Sequence, residues 1–393
     1  MSRRPGSLCG QAPSAVGRVA FAAAVLGALA TFLVASSASA SRSLKVGILD
    51  EAQTLYGNRA RTFPVLRELR TQVLRVNLYW GGRFGVATSR PSDGADPADP
   101  AYNWTSYDRT VQYASRYGIR VLFSIHGTPA WANGGKPVNR APTNPVHLQK
   151  FAFAAATRYS GTFENEAGRA LPAVRMWAAW NEPNNQKDLQ PQYRRLGGRW
   201  LIQSAIDYAK ICNAIYTGVH STLLSGEKVA CGVTAPRGNN DPTSRYPKVS
   251  PLAFLRAMKS AGAKRFDAYA HHPYYGRPSE SPTTKPSRTA ITLANIDVLV
   301  NEVTRLYGRK PIWLTEYGYQ TRPPDLSFGV SWALQARYLT QSFAMARKHP
   351  RIDVMIWFLL RDDTDLQNGW QSGFITATGK RKPSFNAFKR LPR

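Results

Sequence analysis

The sequence is poor in cysteine, in acidic residues and in glycine-rich phosphate loops. Three cysteines stand in 393 residues, and Cys9 lies in an N-terminal stretch apart from Cys212 and Cys231. Two cysteines 19 residues apart with no adjacent histidine do not form a zinc pattern, so no cysteine-bound metal is expected. They either pair, as an oxidising compartment allows, or remain buried free thiols, since Cys212 falls in a helical pattern and Cys231 in a strand run. No Gly-rich loop follows an early strand, which argues against a dinucleotide-binding doubly wound sheet. No linker rich in Pro, Gly or Ser marks a second domain.

Acidic residues number 24 against 52 basic ones, for a net charge of +28, and arginine supplies 37 of the basic residues. These arginines are scattered. Without a basic stripe, a helix-turn-helix or an RNA-binding signature, no nucleic-acid partner is expected. The charge leaves room for an acidic glycan and for electrostatic association with the cell envelope.

Long apolar runs are also scarce. The one present covers residues 19–35, follows Arg3, Arg4 and Arg18, and ends in Ala38-Ser39-Ala40. A basic start, an apolar middle and a small-x-small ending describe a secretory signal peptide. At 17 residues the run is at the lower limit for spanning a bilayer. The expected division is therefore a signal peptide over 1–40 and a single secreted domain over 41–393, free of the membrane after cleavage and monomeric.

The sequence is rich in short apolar runs. Hydrophobic residues make up 43% of the chain, enough for a sizeable core. Runs at 45–50, 72–80, 119–127, 174–182, 228–236, 265–274, 310–318 and 352–360 are nearly continuous, as in parallel strands covered on both faces. Helical patterns lie between several of them, at 107–118, 145–160, 200–216, 251–262 and 333–349. Pro145 and Pro251 open two of these helices, and Gly118 and Gly262 close two. The Pro- and Ser-rich piece 276–288 reads as a long loop. Eight strands alternating with helices predict an α/β fold, a single (β/α)8 TIM barrel.

Such a barrel gathers its active site at the C-terminal ends of the strands. Polar residues collect there: Arg75 and Asn77 on the second strand, His126 on the third, Asn181 and Glu182 on the fourth. His271, His272 and Tyr274 end the sixth, Glu316 and Tyr317 the seventh, and Trp357 lies on the eighth. Two glutamates facing each other across a barrel mouth suit glycosidic cleavage, one as proton donor and the other as nucleophile. Trp80, Trp131, Tyr275, Tyr319 and Trp370 lie in or near the mouth loops as candidates for stacking on sugars.

"WNEPN" (180–184), followed much later by "LTEYGY" (314–319), resembles the clan of retaining (β/α)8 glycosidases that includes glycoside hydrolase families 5 and 39, the cellulase- and β-xylosidase-like enzymes. "HGTPAW", "FDAYAHHPY" and "GFITATGKRKPSFNAF" extend the likeness along the chain. The resemblance implies Glu182 as general acid/base and Glu316 as nucleophile. It further implies Asn181 on the sugar 2-hydroxyl, Arg75 and Tyr274 on the nucleophile, His126 and His272 ordering the subsite, and Trp357 as the wall beneath the ring. The implied substrate is a β-linked glycan, cleaved without metal or organic cofactor. The alternative is a glycan-binding or envelope-associated barrel without turnover. Loss of either glutamate would point to it, and both are present.

Overall fold

The computed structural model describes residues 44–393 apart from 288 and 367, so the expected signal peptide over 1–40 lies outside the described residues. The fold alternates strand and helix: β1 (Lys45–Leu49), α1 (Arg59–Glu68), β2 (Val73–Tyr79), α2 (Thr105–Arg116), β3 (Arg120–His126), α3 (Pro145–Arg158), β4 (Met176–Ala179) and α4 (Gln203–His220). It continues with β5 (Lys228–Thr234), α5 (Pro251–Ser260), β6 (Ala268–His271), α6 (Ile296–Tyr307), β7 (Ile312–Tyr317), α7 (Trp332–Lys348), β8 (Ile352–Phe358) and α8 (Pro383–Lys389). All eight strands pair in parallel and close on themselves through β1 and β8, forming the (β/α)8 barrel that the strand count predicts.

Two apolar clusters sustain it. The larger fills the space between strands and helices, and the smaller fills the barrel with Leu49, Val73, Leu122, Met176, Trp313, Val354, Ile356 and several alanines. Side chains alternate between the two along each strand. On β2, Leu74, Val76 and Leu78 face the helices, whereas Val73 joins the barrel interior. The inward row therefore continues through Arg75, Asn77 and Tyr79 towards the mouth. Gly47 is needed where β1 is squeezed: a Cβ there would lie 2.3 Å from Ile356 and 2.5 Å from the Val73 carbonyl.

Local chemistry explains the helix starts. Pro145 and Pro251 open α3 and α5, and the Asn58, Asn144 and Ser331 side chains accept backbone N–H bonds at the starts of α1, α3 and α7. One expected boundary moves. Residues 200–201 belong not to a helix but to an antiparallel hairpin, Arg194–Leu196 with Arg199–Leu201, whose turn is Gly197-Gly198. Cys212 on α4 and Cys231 on β5 are disulfide-bonded and fully buried, which resolves the two readings of the sequence.

Candidate active site

Beyond β4 the chain makes a strained turn. Trp180 and Glu182 both have positive φ, +70° and +35°, which is costly for residues with a Cβ. Neighbouring strands hold them there. The Trp180 N–H donates to the Ile125 carbonyl (2.8 Å), the Glu182 N–H donates to the Val233 carbonyl (2.9 Å), and the Trp180 indole donates to the Asp188 carbonyl (2.9 Å). The turn carries the Glu182 side chain into the mouth.

On β7 a bulge does comparable work. Met355 pairs with Leu314, but Trp357, two residues on, pairs with Tyr317, three residues on. The extra residue lets Thr315 and Glu316 both contact the same polar cluster, instead of pointing to opposite faces.

Arg75 is the hub of that cluster and is fully buried. Its Nη1 donates to Glu316 Oε1 (2.6 Å) and to the Thr315 carbonyl (3.0 Å). Its Nη2 donates to Asn181 Oδ1 (2.8 Å) and Asn77 Oδ1 (3.2 Å), and its Nε to Ser124 Oγ (3.0 Å). The Tyr274 hydroxyl donates to Glu316 Oε2 (3.1 Å). His272 bridges the two glutamates: its Nδ1 is 3.0 Å from Glu182 Oε1 and 3.7 Å from Glu316 Oε2, and its Nε2 is 3.0 Å from Thr315 Oγ1.

One carboxylate oxygen each from Glu182 and Glu316, with a ring nitrogen of His272, lie within 4.8 Å of one another. Three such groups could ligate a cation, but the Arg75 guanidinium already sits on Glu316 and 3.3 Å from His272 Nε2. A fixed positive charge there disfavours a second one.

Burial alone would push the Glu316 carboxyl up. His272, the Arg75 guanidinium and the Tyr274 hydroxyl together outweigh that and hold it below the usual carboxylate value. Glu182 makes no ion pair with arginine or lysine among the described residues; its side-chain partners are His272 and, at 3.5 Å, Asn185. The two glutamates are thus electrostatically unequal, as an acid and a nucleophile must be.

The expected site residues are not all where the sequence reading put them. Arg75, Asn181, Glu182, His272, Tyr274 and Glu316 converge. Of the two adjacent histidines, His271 turns away to Thr234 Oγ1 (2.8 Å) and the Ile291 carbonyl (3.1 Å). His126 is outside the cavity wall and packs on Trp180 and Tyr79, with ring centroids 5.0 and 5.8 Å away, while burial lowers its imidazole to about 4.

Trp357 is a correction. It faces the helices, stacks on Phe374 and donates its indole N–H to the Ser372 carbonyl (2.9 Å). The alternation of β8 brings Phe358 to the mouth instead. Of the loop aromatics, Tyr275 and Trp370 line the cavity, whereas Trp80, Trp131 and Tyr319 pack elsewhere.

The cavity above this cluster has a volume of about 740 Å³. Its wall includes acidic residues the sequence reading passed over: Asp50, Glu51 and Asp188. Glu51 accepts from the Asn77 N–H (2.6 Å) and the Tyr79 hydroxyl (3.0 Å), and Asp50 from the N–H groups of Leu360 and Arg361. Burial raises both to about 7. Asp188 accepts from Asn181 Nδ2 (2.9 Å) and is raised to about 8, by burial first and then by the charge of Glu182. Asp50 and Glu51 end the first strand as Asn181 and Glu182 end the fourth, so the same strand-end test finds them. Asp188 lies in an irregular loop and carries no such signal.

The profile of the family described as glycosyl hydrolase catalytic core matches residues 161–388, a span holding both Glu182 and Glu316. No curated protein matches the sequence. A solved family 39 glycoside hydrolase from Bacteroides cellulosilyticus WH2 is 19% identical, with a TM-score of 0.60 over 90% of this chain and 64% of that one, so the chain spans under two thirds of its length. A glucosidase from Croceicoccus marinus is 16% identical, with a TM-score of 0.60 over 89% and 67% of the two chains. A fungal β-1,4-galactanase is 15% identical, with a TM-score of 0.56 over 88% and 99% of the two chains. At these identities the likeness is one of fold.

Proposed function

The chain belongs to the glycosyl hydrolase catalytic core family, and on that premise we propose that it is a secreted retaining glycosidase cleaving β-glycosidic bonds in a polysaccharide or oligosaccharide. The observation carrying this reading is the approach of Glu182 and Glu316, with carboxylate oxygens within 4.8 Å and a guanidinium on only one of them. Retaining pairs stand roughly 5–5.5 Å apart, whereas inverting pairs need about 6.5–9.5 Å to admit a water.

In the first step Glu182 gives its proton to the glycosidic oxygen as the Glu316 carboxylate attacks the anomeric carbon. The carbon–oxygen bond to the leaving chain breaks, and a glycosyl ester forms on Glu316. In the second step Glu182, now ionised, takes a proton from water. The water oxygen attacks the same carbon, and Glu316 departs as carboxylate. Arg75 and Tyr274 keep Glu316 ionised and aimed. Asn181 has one amide hydrogen on Asp188, which leaves the other for the sugar 2-hydroxyl.

Secretion rests on the pattern of residues 1–40. Among the described residues no helix is long and apolar enough to cross a membrane. Sequencing the N-terminus of the exported protein checks cleavage after Ala40.

The catalytic reading is tested by product release from β-glucans, xylans, mannans, galactans and aryl β-glycosides. Wild type and Glu316→Ala are compared, and the anomeric configuration of the first product is followed by NMR. The expected result is a retained β-anomer from the wild type and loss of turnover in the variant. An inverted first product, or equal activity in both proteins, refutes it.

A further inference from the structure

Charge is spread unevenly around the active-site mouth. Asp50, Glu51, Asp362 and Asp363 line the wall built by the loops after β1 and β8, but burial raises Asp50 and Glu51 to about 7, Lys382 pairs with Asp362 (2.7 Å), and Arg361 lines the same wall. The opposite rim, built by the loops after β3, β4 and β5, is basic. Lys187 lines the cavity five residues after Glu182. Beyond it the hairpin exposes Arg194, Arg195 and Arg199, with Trp200 46% exposed and paired across from Arg195.

The three loops form one surface. Asn139 Nδ2 donates to the carbonyls of Gln186 (3.2 Å) and Lys187 (3.1 Å), and Arg140 bridges to Gln190. Gln186 Nε2 donates to the Arg245 carbonyl (3.4 Å), and Asn185 bridges to Lys248. Arg245 lies over Tyr246, which is 58% exposed. None of Arg140, Lys187, Arg194, Arg195, Arg199, Arg245 or Lys248 forms an ion pair with a carboxylate among the described residues. Such unpaired cations beside exposed aromatic rings suit an anionic glycan: guanidinium forks take carboxylate or sulfate, and ring faces take sugars.

We propose that this rim binds the leaving-group portion of an anionic polysaccharide. The proposal rests on the glycosidase reading. A proton from Glu182 goes to the leaving oxygen, so the leaving chain lies on the side of Glu182 and its loop, where the cations are. The cleaved sugar lies on the other side of the scissile bond, beside Glu316. The glutamate pair acts on a bond between sugars, so the occupant is a glycan rather than a nucleic acid.

The test is binding by the full-length Glu316→Gln protein, so that turnover plays no part. The probes are hyaluronan and alginate as uronate-bearing chains, a neutral β-glucan, and single-stranded DNA of similar length, by affinity electrophoresis at low and high salt. Arg194→Gln/Arg195→Gln/Arg199→Gln is set against Arg61→Gln/Arg67→Gln/Arg109→Gln, which removes equal charge from exposed sites on α1 and α2. The expected result is salt-sensitive uronate binding that falls about tenfold with the hairpin variant and less than about twofold with the control. Equal losses in both variants reduce the effect to net charge and overturn the proposal. Absence of uronate binding overturns it too, as does DNA binding with the same dependence on the hairpin. Aryl β-glycosides lack the charged leaving chain, so wild-type turnover of them reads the catalytic assignment separately.

Discussion

Replacing Arg75 with glutamine should move the acidic limb of the pH–rate profile upwards. The guanidinium approaches Glu316 at 2.6 Å with no exposure of its own and 13% exposure of the carboxylate side chain. Taking charge centres about 4 Å apart and an effective dielectric of about 20, the pair is worth about 4 kcal/mol. Glu316 is held below its ordinary value, so it is ionised above that pH and is silenced as pH falls through it. Losing about 4 kcal/mol corresponds to a rise of about three in pKa. His272 and Tyr274 stay in place and entering water screens the site, so about two is the expected shift. Activity on an aryl β-glycoside near pH 5 should then fall about tenfold, with recovery near pH 8. Arg75→Lys keeps the charge but not the fork to Asn181 and Asn77. It should leave the acidic limb in place while lowering kcat. Thermal melts would confirm that both variants fold. An unmoved acidic limb in folded Arg75→Gln would refute the claim that Arg75 sets the ionisation of Glu316.

The two neighbours on β8 should separate cleanly. Phe358→Ala should raise KM severalfold with little change in Tm, whereas Trp357→Ala should cost about 3–5 kcal/mol in denaturant unfolding; the reverse pattern would mean Trp357 is the residue at the sugar. Removing the buried disulfide with Cys212→Ala/Cys231→Ala opens a link across 19 residues and should cost about 3 kcal/mol; an unchanged unfolding midpoint would count against it. Asp188 is raised to about 8 against an unfolded value near 3.8, so the folded state holds its proton while the unfolded state releases it. Its contribution to stability is full below about pH 4 and is lost as pH rises towards 8. Asp188→Asn should therefore raise Tm at pH 8 relative to wild type and leave it nearly unchanged at pH 4; equal gains at both would refute the assignment.

Much of this was legible in the chain because barrel strands obey simple rules. Residues buried on both faces must be apolar, so eight apolar runs marked eight strands. Polar residues at strand ends marked the mouth, and Glu182 and Glu316 fell there together. The same rule reached Asp50 and Glu51, had it been applied to the first strand. Other features depend on chain segments far apart in sequence. The positive-φ turn at Trp180 and Glu182 exists because β3 and β5 supply the carbonyls that hold it. The bulge in β7 shows only against the register of β8.

Sequence alone therefore determined the barrel and placed Glu182, Glu316 and Arg75 at its mouth, because apolar runs and the polar residues that end them can be read along the chain. The tertiary structure decided that Phe358 rather than Trp357 faces the cavity, since two adjacent strand residues take opposite faces and either could have been inward. It decided that Cys212 and Cys231 pair, because a helix and a strand bring their Cα atoms to 5.9 Å. It also brought Asp188 to Asn181 and gathered a basic rim beside Glu182, since loops without periodicity acquire neighbours only when the barrel closes.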